Sequence, residues 1–415
     1  MRRSTHLLGA LLLTAALALT ARAQKRSIVA PEAAPASSFG PAGFEGDGYI
    51  YVAGQSARRP DGSIPERFSD QVRQSLDNVR SVIQAAGLTM DHVVYVQVYL
   101  QGVSHYSELN EVFAAYFSSI PPARAVLGVA SSPGESPVQV TAVGVRDLTG
   151  RQAISAADLP ASKAFSPGIL THDRLFVSTM PGLDSKGGVP SAPADQVDTA
   201  LDHLTSVLKA AGLTAANMVF VNPYLTSDIP MRVMNERYAR RFEFGNTPAR
   251  ATIEVSSLPE GVRIAYTGVA VRDLKLRHAI RPKNMAPSPT ASPCVFAGDT
   301  LYCSAKSGFI PGPNGGIFMP ETANQTRQTM RNLLDNLEEA DMNFDDVIFT
   351  TIYLDDLAES PAFHNIYKKY FKSLLPAETT LQQIPPGDRK ADAEGQYPTL
   401  EQMSLIAVRS HSPAP

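Results

Sequence analysis

The chain has 415 residues, of which 44% are apolar and 19% charged, and its formal net charge is −3. That length exceeds what one compact core needs and predicts two to four domains. The slight acidic excess, without a long basic run, argues against strong electrostatic binding to nucleic acid or to an anionic membrane.

The first 23 residues have the order of a secretory signal. Met1-Arg2-Arg3 is basic, residues 7–20 are rich in Leu and Ala, and Ala21-Arg22-Ala23 supplies small residues. An uncleaved anchor helix is the alternative, but the apolar run is short for a membrane span, and no later stretch is long enough. We therefore expect cleavage near Ala23 and export to the periplasm or the medium, followed by a flexible lead-in over 24–38 and, at the other end, a loose tail over 411–415.

Hydrophobic periodicity in the first third predicts the order strand, helix, strand, helix, strand, strand. These predicted elements span residues 49–54, 68–86, 92–100, 106–117, 125–129 and 138–145.

The same order recurs twice. In the second third we predict elements at 175–178, 196–211, 218–225 and 231–242, then strands starting at 251 and 263. In the last third we predict them at 301–304, 323–340, 347–354 and 362–371, then strands starting at 379 and 400.

A short frame also repeats in each third: Pro-Ala, one charged residue, strand-like sequence and a closing Val-Arg. The charged residue is Arg124, Arg250 and finally Glu378, at spacings of 126 and 128 positions. Each interval is long enough for a domain with its own core and too long for a solenoid unit. We predict three domains, at 39–149, 150–276 and 277–410.

Strands and helices in this order predict an α+β fold, with a mixed sheet and both helices on one face of it. The other face needs cover. Three such units in one chain can cover one another around a pseudo-threefold axis, so we expect an intramolecular pseudo-trimer that is a monomeric chain.

The two cysteines, Cys294 and Cys303, flank a predicted hairpin whose turn is Gly298-Asp299. Counting outward from that turn pairs 297 with 300 and 294 with 303. Either a disulfide or two free thiols fits an exported protein with this register.

Residues 74–79 and 85–88, followed by Asn110, Phe113, Pro122-Ala123-Arg124 and the closing Val145-Arg146, resemble the RidA (YjgF-type) family of imine and enamine deaminases. The resemblance recurs once per repeat over nearly all of residues 40–410. It implies chorismate-mutase-like domains, which the family assembles as a homotrimer with active sites in the clefts between subunits. This chain looks like that trimer fused into one polypeptide.

The resemblance also implies a substrate class and a carboxylate-binding arginine. The family hydrolyses short imino or enamino acids such as 2-aminoacrylate to a keto acid and ammonia, without a cofactor. Its arginine maps onto Arg124 and Arg250, and a guanidinium can hold a carboxylate with two parallel hydrogen bonds. A structural ion pair is the alternative role for each arginine. Glu378 would repel an anion, so we expect the third site to be degenerate.

Other family positions are kept in part. Asn110, Asn235 and Asn365 map near the ligand, although each could instead be a helix-packing amide. Only Gly54 keeps the glycine of the substrate loop. The water-activating glutamate maps onto Gln139, Ala265 and Gln402, none of which is a carboxylate. Gln139 is a candidate for positioning water by hydrogen bonding, but it cannot take a proton.

The remaining chemistry is sparse. Eight histidines are scattered without metal-ligand spacing, so we expect no metal. About nine extra residues, around 389–397, lie beside the third site. Our leading hypothesis is hydrolysis of small imino or enamino acids, weakened by the missing glutamate. The alternative is a non-catalytic protein of the same fold that binds small carboxylates or serves as a scaffold.

Overall fold

The computed structural model describes residues 25–36, 39–117, 119–312 and 315–409. The predicted signal segment 1–23 and the tail 411–415 lie outside these residues. Within the described part of the chain, no helix combines the length and the apolar character that a membrane span requires.

The first repeat is a six-stranded sheet with two helices. Its elements are β1 (Arg26–Ile28), β2 (Gly43–Gly46), β3 (Tyr49–Ser56), α1 (Phe68–Ala85), β4 (Val93–Leu100), α2 (Tyr106–Tyr116), β5 (Ala123–Gly128) and β6 (Val138–Val145). The strand order is β1-β2-β3-β6-β4-β5, and only β4 and β5 pair in parallel. This confirms the predicted order of strands and helices.

The predicted flexible lead-in over 24–38 is wrong in part, because Arg26–Ile28 pairs with Gly43–Gly46 as an edge strand. The side chain of Ile28 is buried in the core beneath the helices. The residues rich in Pro and Ala come after this strand. Their composition suggested a flexible segment, and the short strand before them was therefore missed. The first repeat therefore begins near Arg26 and not at residue 39.

The second repeat has the same plan. Its elements are β7 (Gln152–Ile154), β8 (Gly168–Leu170), β9 (Arg174–Pro181), α3 (Pro193–Ala210), β10 (Met218–Leu225), α4 (Met231–Ala239), β11 (Ala249–Arg250), β12 (Ile253–Glu254) and β13 (Ile264–Val271). The order is β7-β8-β9-β13-β10-β11, and β12 also pairs with β10.

The third repeat adds a two-stranded sheet to that plan. Its elements are β14 (Arg277–Ile280), β15 (Cys294–Ala297), β16 (Thr300–Ser307), β17 (Phe309–Ile310), β18 (Ile317–Phe318), α5 (Thr322–Glu339), β19 (Val347–Leu354), α6 (Ser360–Tyr367), β20 (Ala377–Gln382) and β21 (Glu401–Val408). The main order is β14-β15-β16-β21-β19-β20, while β17 pairs with β18 alone.

Both helices of each repeat pack on one face of its sheet because their apolar residues recur at helical spacing. In α1, for example, Val72, Leu76, Val79 and Ile83 are all fully buried against the sheet. Gly87 then takes a φ of +80°, which a residue without a Cβ adopts easily, and the helix ends there.

The opposite faces of the three sheets pack against one another. One apolar cluster contains residues of all three repeats, including Tyr49, Phe176 and Tyr302. Strand contacts run in cyclic order: β5 lies against β9, β11 against β16, and β20 against β3. Each cleft between repeats therefore combines the charged residue of one repeat with the β3-type strand of the next.

A single buried arginine joins all three repeats at this shared core. Arg174 is fully buried. Its Nη2 donates a hydrogen bond to the Asp47 carboxylate of the first repeat, and its Nη1 donates to the Tyr302 hydroxyl of the third at 3.4 Å. Its guanidinium lies 4.3 Å from the Tyr49 ring centroid, and its Nε is 3.2 Å from the Asp173 carboxylate. The two carboxylates compensate a charge that burial alone would make very costly.

The cysteines form a disulfide on the predicted hairpin. Strands β15 and β16 pair Cys294 with Cys303 and Ala297 with Thr300, which is the register obtained by counting from the turn. The bond Cys294–Cys303 is present, so of the two alternatives the structure shows the disulfide.

A buried glutamate lies in the core of the third repeat. Glu401 points toward α5, where its carboxylate accepts a hydrogen bond from the Thr329 hydroxyl. Its neighbour Gln402 points toward the second repeat and donates to the Thr252 carbonyl at 2.9 Å. This is the opposite orientation expected for adjacent strand residues. Burial raises the pKa of Glu401 to about 8.

The pseudo-trimer stays a prediction, and small-angle X-ray scattering tests it in solution. We expect a monomeric mass and a radius of gyration of about 21 Å, the value for one compact body of this length. A substantially larger radius at monomeric mass would mean three separate domains and would contradict it.

Replacing Arg174 with Met should lower the free energy of unfolding by about 3 kcal/mol, because two carboxylates lose their buried partner. The midpoint of urea unfolding measures the change. Arg272→Met, at an exposed position of the same repeat, is the control and should change the midpoint little. Equal midpoints for both variants would show that Arg174 does not hold the repeats together.

The stability of the protein should fall as pH rises from 6 to 9. The pKa of Glu401 is raised in the folded state, so its contribution is fully present below the unfolded pKa and is lost as pH rises through about 8. We expect a loss of about 2 kcal/mol over this interval. In Glu401→Gln the midpoint of thermal unfolding should change less with pH than in the wild-type protein. Glu338→Gln, at an exposed position, should keep the wild-type dependence. An equally steep profile in Glu401→Gln would assign the dependence to another group.

Candidate active site

The first cleft is built around Arg124, on β5. Its guanidinium reaches α2, where Nη2 donates a hydrogen bond to Asn110 Oδ1. The rings of Phe113 and Phe165 lie 4.6 and 5.0 Å from the guanidinium carbon. These contacts hold the cation in one orientation between the first and second repeats.

Arg124 is a buried cation with spare hydrogen-bonding capacity. Only 3% of the residue is exposed, and no described acidic side chain forms an ion pair with it. Its Nη1 has no hydrogen-bond partner among the described residues. Burial lowers the pKa of Arg124 to about 10, and the neighbouring Tyr106 hydroxyl partly opposes this effect, so the guanidinium is still charged at neutral pH. Such a group favours an anion that can accept from Nη1.

The second repeat forms the opposite wall of this cleft. The Arg124 backbone N–H donates to Ser178 Oγ at 2.7 Å, and Thr179 Oγ1 donates to the Arg124 carbonyl at 3.4 Å. Ser178 and Thr179 lie on β9, which corresponds in the second repeat to the strand β3 that carries Gly54. Ala265, the counterpart of the family glutamate on this side, offers no polar side chain.

The second cleft repeats this geometry around Arg250, between the second and third repeats. Nη1 of Arg250 donates to Asn235 Oδ1 at 2.7 Å, and its backbone N–H donates to Ser304 Oγ at 2.8 Å. The Tyr238 ring lies 5.1 Å from the guanidinium carbon. Burial lowers the pKa of Arg250 as well. Here the glutamate counterpart is Gln402, which reaches across to the second repeat.

The third cleft has the reversed charge, and its partner is reversed too. Glu378 on β20 lies 3.0 Å from His364 Nε2 on α6, and both side chains are buried. The ring of Phe39, from the first repeat, stacks on His364 at 3.9 Å. In this cleft the His364 imidazole donates to the Glu378 carboxylate. In the other two clefts an asparagine amide oxygen accepts from the arginine guanidinium.

The predicted role of Asn365 is wrong, because this residue is exposed and His364 takes the place of Asn110 and Asn235. A sequence signal for this existed. An aromatic residue follows Asn110, Asn235 and His364 by three positions in every repeat, as Phe113, Tyr238 and Tyr367.

Gly54 and Gln139 do not share a cleft with Arg124. Arg124 pairs in register with Val96, whose side chain is in the core beneath the helices, whereas Gln139 pairs with Tyr99 on the other face of the sheet. A Cβ placed on Gly54 would lie 2.3 Å from Gln139 Nε2, so the glutamine covers the glycine. Because β3 faces β20, both residues belong to the cleft of Glu378.

Two aromatic rings that pack over charged or polar groups of the clefts were not predicted from the sequence. Phe165 over Arg124 and Phe39 over His364 are 126 positions apart and occupy equivalent places. Both lie in irregular segments without hydrophobic periodicity, so only the repeat spacing could have indicated them. No group of three or more His, Cys, Asp or Glu side chains that could hold a metal occurs among the described residues.

Comparisons with known proteins agree with this repeat plan. The family model described as Endoribonuclease L-PSP matches residues 30–145, 155–271 and 283–384. The chain belongs to this family. The match confirms the resemblance to RidA proteins and the triplicated fold.

Relatives of this chain include proteins about as long as one of its repeats. The 2-iminobutanoate/2-iminopropanoate deaminase of Rattus norvegicus is 36% identical over 125 residues, which are 29% of this chain and 90% of that protein. The human protein of the same name is 33% identical, with the same coverage. A RutC family protein of Aquifex aeolicus is 33% identical over 25% of this chain and 84% of its own length.

Solved structures also match over one repeat. The YjgF gene product of E. coli is 29% identical, with a TM-score of 0.28, over 29% of this chain and 99% of that chain. E. coli TdcF with bound serine is 27% identical, with a TM-score of 0.29, over 29% of this chain and 99% of that chain.

Proposed function

We propose that the clefts of Arg124 and Arg250 bind the carboxylate of small imino and enamino acids, and that the protein hydrolyses them to keto acid and ammonia. The observation that carries this proposal is the buried guanidinium of Arg124, which has a free Nη1 and no described acidic partner. Deaminases of 2-iminobutanoate and 2-iminopropanoate among the relatives support the substrate class.

Hydrolysis of an imino acid requires little from the protein beyond orienting the substrate and the attacking water. An enamino acid first takes up a proton from solvent at its β-carbon and becomes the protonated imine. Water then adds to the carbon of the C=N group with loss of a proton, and the resulting carbinolamine loses ammonia to leave C=O. Such substrates also hydrolyse without an enzyme, so fixing the carboxylate beside a positioned water accelerates an existing reaction.

The Arg250 cleft is better equipped for this step than the Arg124 cleft. The Nε2 of Gln402 is held by the Thr252 carbonyl, and its Oε1 makes no hydrogen bond within the described residues. That oxygen can accept from a water molecule, although an amide cannot take the proton. The Arg124 cleft has Ala265 at the position equivalent to Gln402, so this cleft can only bind and orient the substrate.

A second candidate function is carboxylate binding without turnover. It is favoured by the same observation, that neither arginine cleft contains a carboxylate at the position of the family glutamate. Both candidates require the arginines, and they differ only in whether the bound imine is hydrolysed faster than in solution.

The decisive assay generates 2-aminoacrylate beside the purified protein and follows pyruvate release. We expect Arg250→Met to lose most of the rate, and Arg124→Met with Arg250→Met to reach background. Arg232→Met, at an exposed position on α4, is the control and should be unchanged. Gln402→Glu should raise the rate at least tenfold, because a general base contributes on the order of a hundredfold.

A wild-type rate no higher than background would overturn hydrolysis by this protein, whatever the rate of Gln402→Glu. Calorimetry with pyruvate then separates the remaining candidates. Two bound equivalents that disappear in the double arginine variant would support carboxylate binding, and none would refute both proposals for these clefts.

A further inference from the structure

A cavity of about 90 Å³ lies where the three sheets meet, apart from the clefts. Its wall near Arg174 is made of three aromatic pairs, each formed by rings of two different repeats. The ring centroids are 5.7 to 6.4 Å apart, so the pairs seal the boundaries between repeats. The pairs are Tyr51 with Phe349, Phe176 with Tyr95, and Tyr302 with Phe220.

Next to the aromatic pairs, one layer of residues further along the strands and away from Arg174, lies a belt of polar side chains. Each repeat contributes one residue from its central strand and one hydroxyl from the strand paired with it. The register pairs are Gln97 with Thr141, Asn222 with Thr267, and Thr351 with Ser404.

Buried groups lie at two ends of this cavity. At one end lies the aromatic layer that contains Tyr302, followed by Arg174, which donates to the Tyr302 hydroxyl. At the other end Tyr99, Tyr224 and Tyr353 are 1 to 4% exposed and belong to one apolar cluster.

The chemistry of the lining limits what the cavity can hold. No charged side chain lines it, so an imino acid or another ion would lose its hydration without compensation. The hydroxyls of Thr351 and Ser404 line the cavity, and neither forms a hydrogen bond within the described residues. A cavity with free polar groups holds water or a ligand that can replace that water.

The polar residues that line the cavity also differ among the three repeats, although packing alone would not require them to differ. Equivalent belt positions carry Gln97, Asn222 and Thr351, which differ in size and in hydrogen-bonding groups. Three identical subunits would present identical groups around an axis, whereas the fused chain presents one asymmetric polar edge below the aromatic wall.

We propose that this axial cavity binds one small neutral aromatic molecule with a single hydrogen-bonding substituent, of the size of phenol. The ring would lie against the paired aromatic side chains, and its substituent would face the belt at Thr351 and Ser404. The volume of about 90 Å³ is smaller than the roughly 150 Å³ of an engineered cavity that takes up benzene, so the paired rings would have to move apart slightly to admit the ligand. This binding does not depend on the proposed hydrolysis, because it involves neither arginine cleft.

Phenol, benzene and cyclohexanol are the probes, and calorimetry of the full chain measures their binding. We expect phenol to bind with a 1:1 stoichiometry and at least threefold more tightly than benzene, which lacks the hydroxyl, or cyclohexanol, which lacks the planar ring. The double variant Arg124→Met, Arg250→Met should bind phenol unchanged.

Two variants locate the site. Ser404→Leu fills the cavity and should weaken phenol binding at least tenfold, whereas the same substitution at exposed Ser185 should leave it unchanged. Thr351→Val keeps the volume, tests the belt without endangering the fold, and should remove the preference for phenol over benzene. Absence of phenol binding at millimolar concentration, equal binding of benzene, full binding by Thr351→Val, or loss of binding in the double arginine variant would each overturn the proposal.

Discussion

The arrangement of the three repeats depends on one buried cation at their common core. Arg174 occupies the register position that Tyr49 and Thr300 occupy in the other repeats, since all three pair with a valine of the neighbouring strand. Three identical subunits would bring three guanidinium groups together, and their repulsion in a buried site would be prohibitive. One arginine with carboxylates from two repeats is stable, and only a fused chain can encode it.

Covalent fusion also explains why the clefts could diverge in pairs of residues. Arg124 and Arg250 each donate to a helix asparagine, whereas Glu378 lies beside His364. The charge and its partner therefore differ together: an asparagine oxygen accepts from a guanidinium in two clefts, and an imidazole nitrogen donates to a carboxylate in the third. The third cleft therefore has an internally consistent polar pair and is not a damaged copy of the other two.

Local patterns in the sequence were sufficient for most of the fold. The spacing of Val72, Leu76 and Val79 predicts α1, and counting from the Gly298-Asp299 turn predicts the disulfide register. The composition of the two clefts could not be predicted in the same way. Strand alternation assigns Gln139 to a face of its sheet, but which repeat covers that face is decided by contacts between segments more than 200 residues apart.

The cyclic order of the repeats decides how the family's chemistry is distributed. By this order the glutamate counterpart in the Arg124 cleft is Ala265, the one in the Arg250 cleft is Gln402, and Gln139 belongs to the cleft of Glu378. Under the proposed function, anion binding and a group that can orient water therefore coincide in one cleft of three. Since a guanidinium stabilises the bound carboxylate equally before and during water addition, it improves binding without lowering the chemical barrier. Any difference in turnover between the two arginine clefts must then come from the glutamine that only one of them contains.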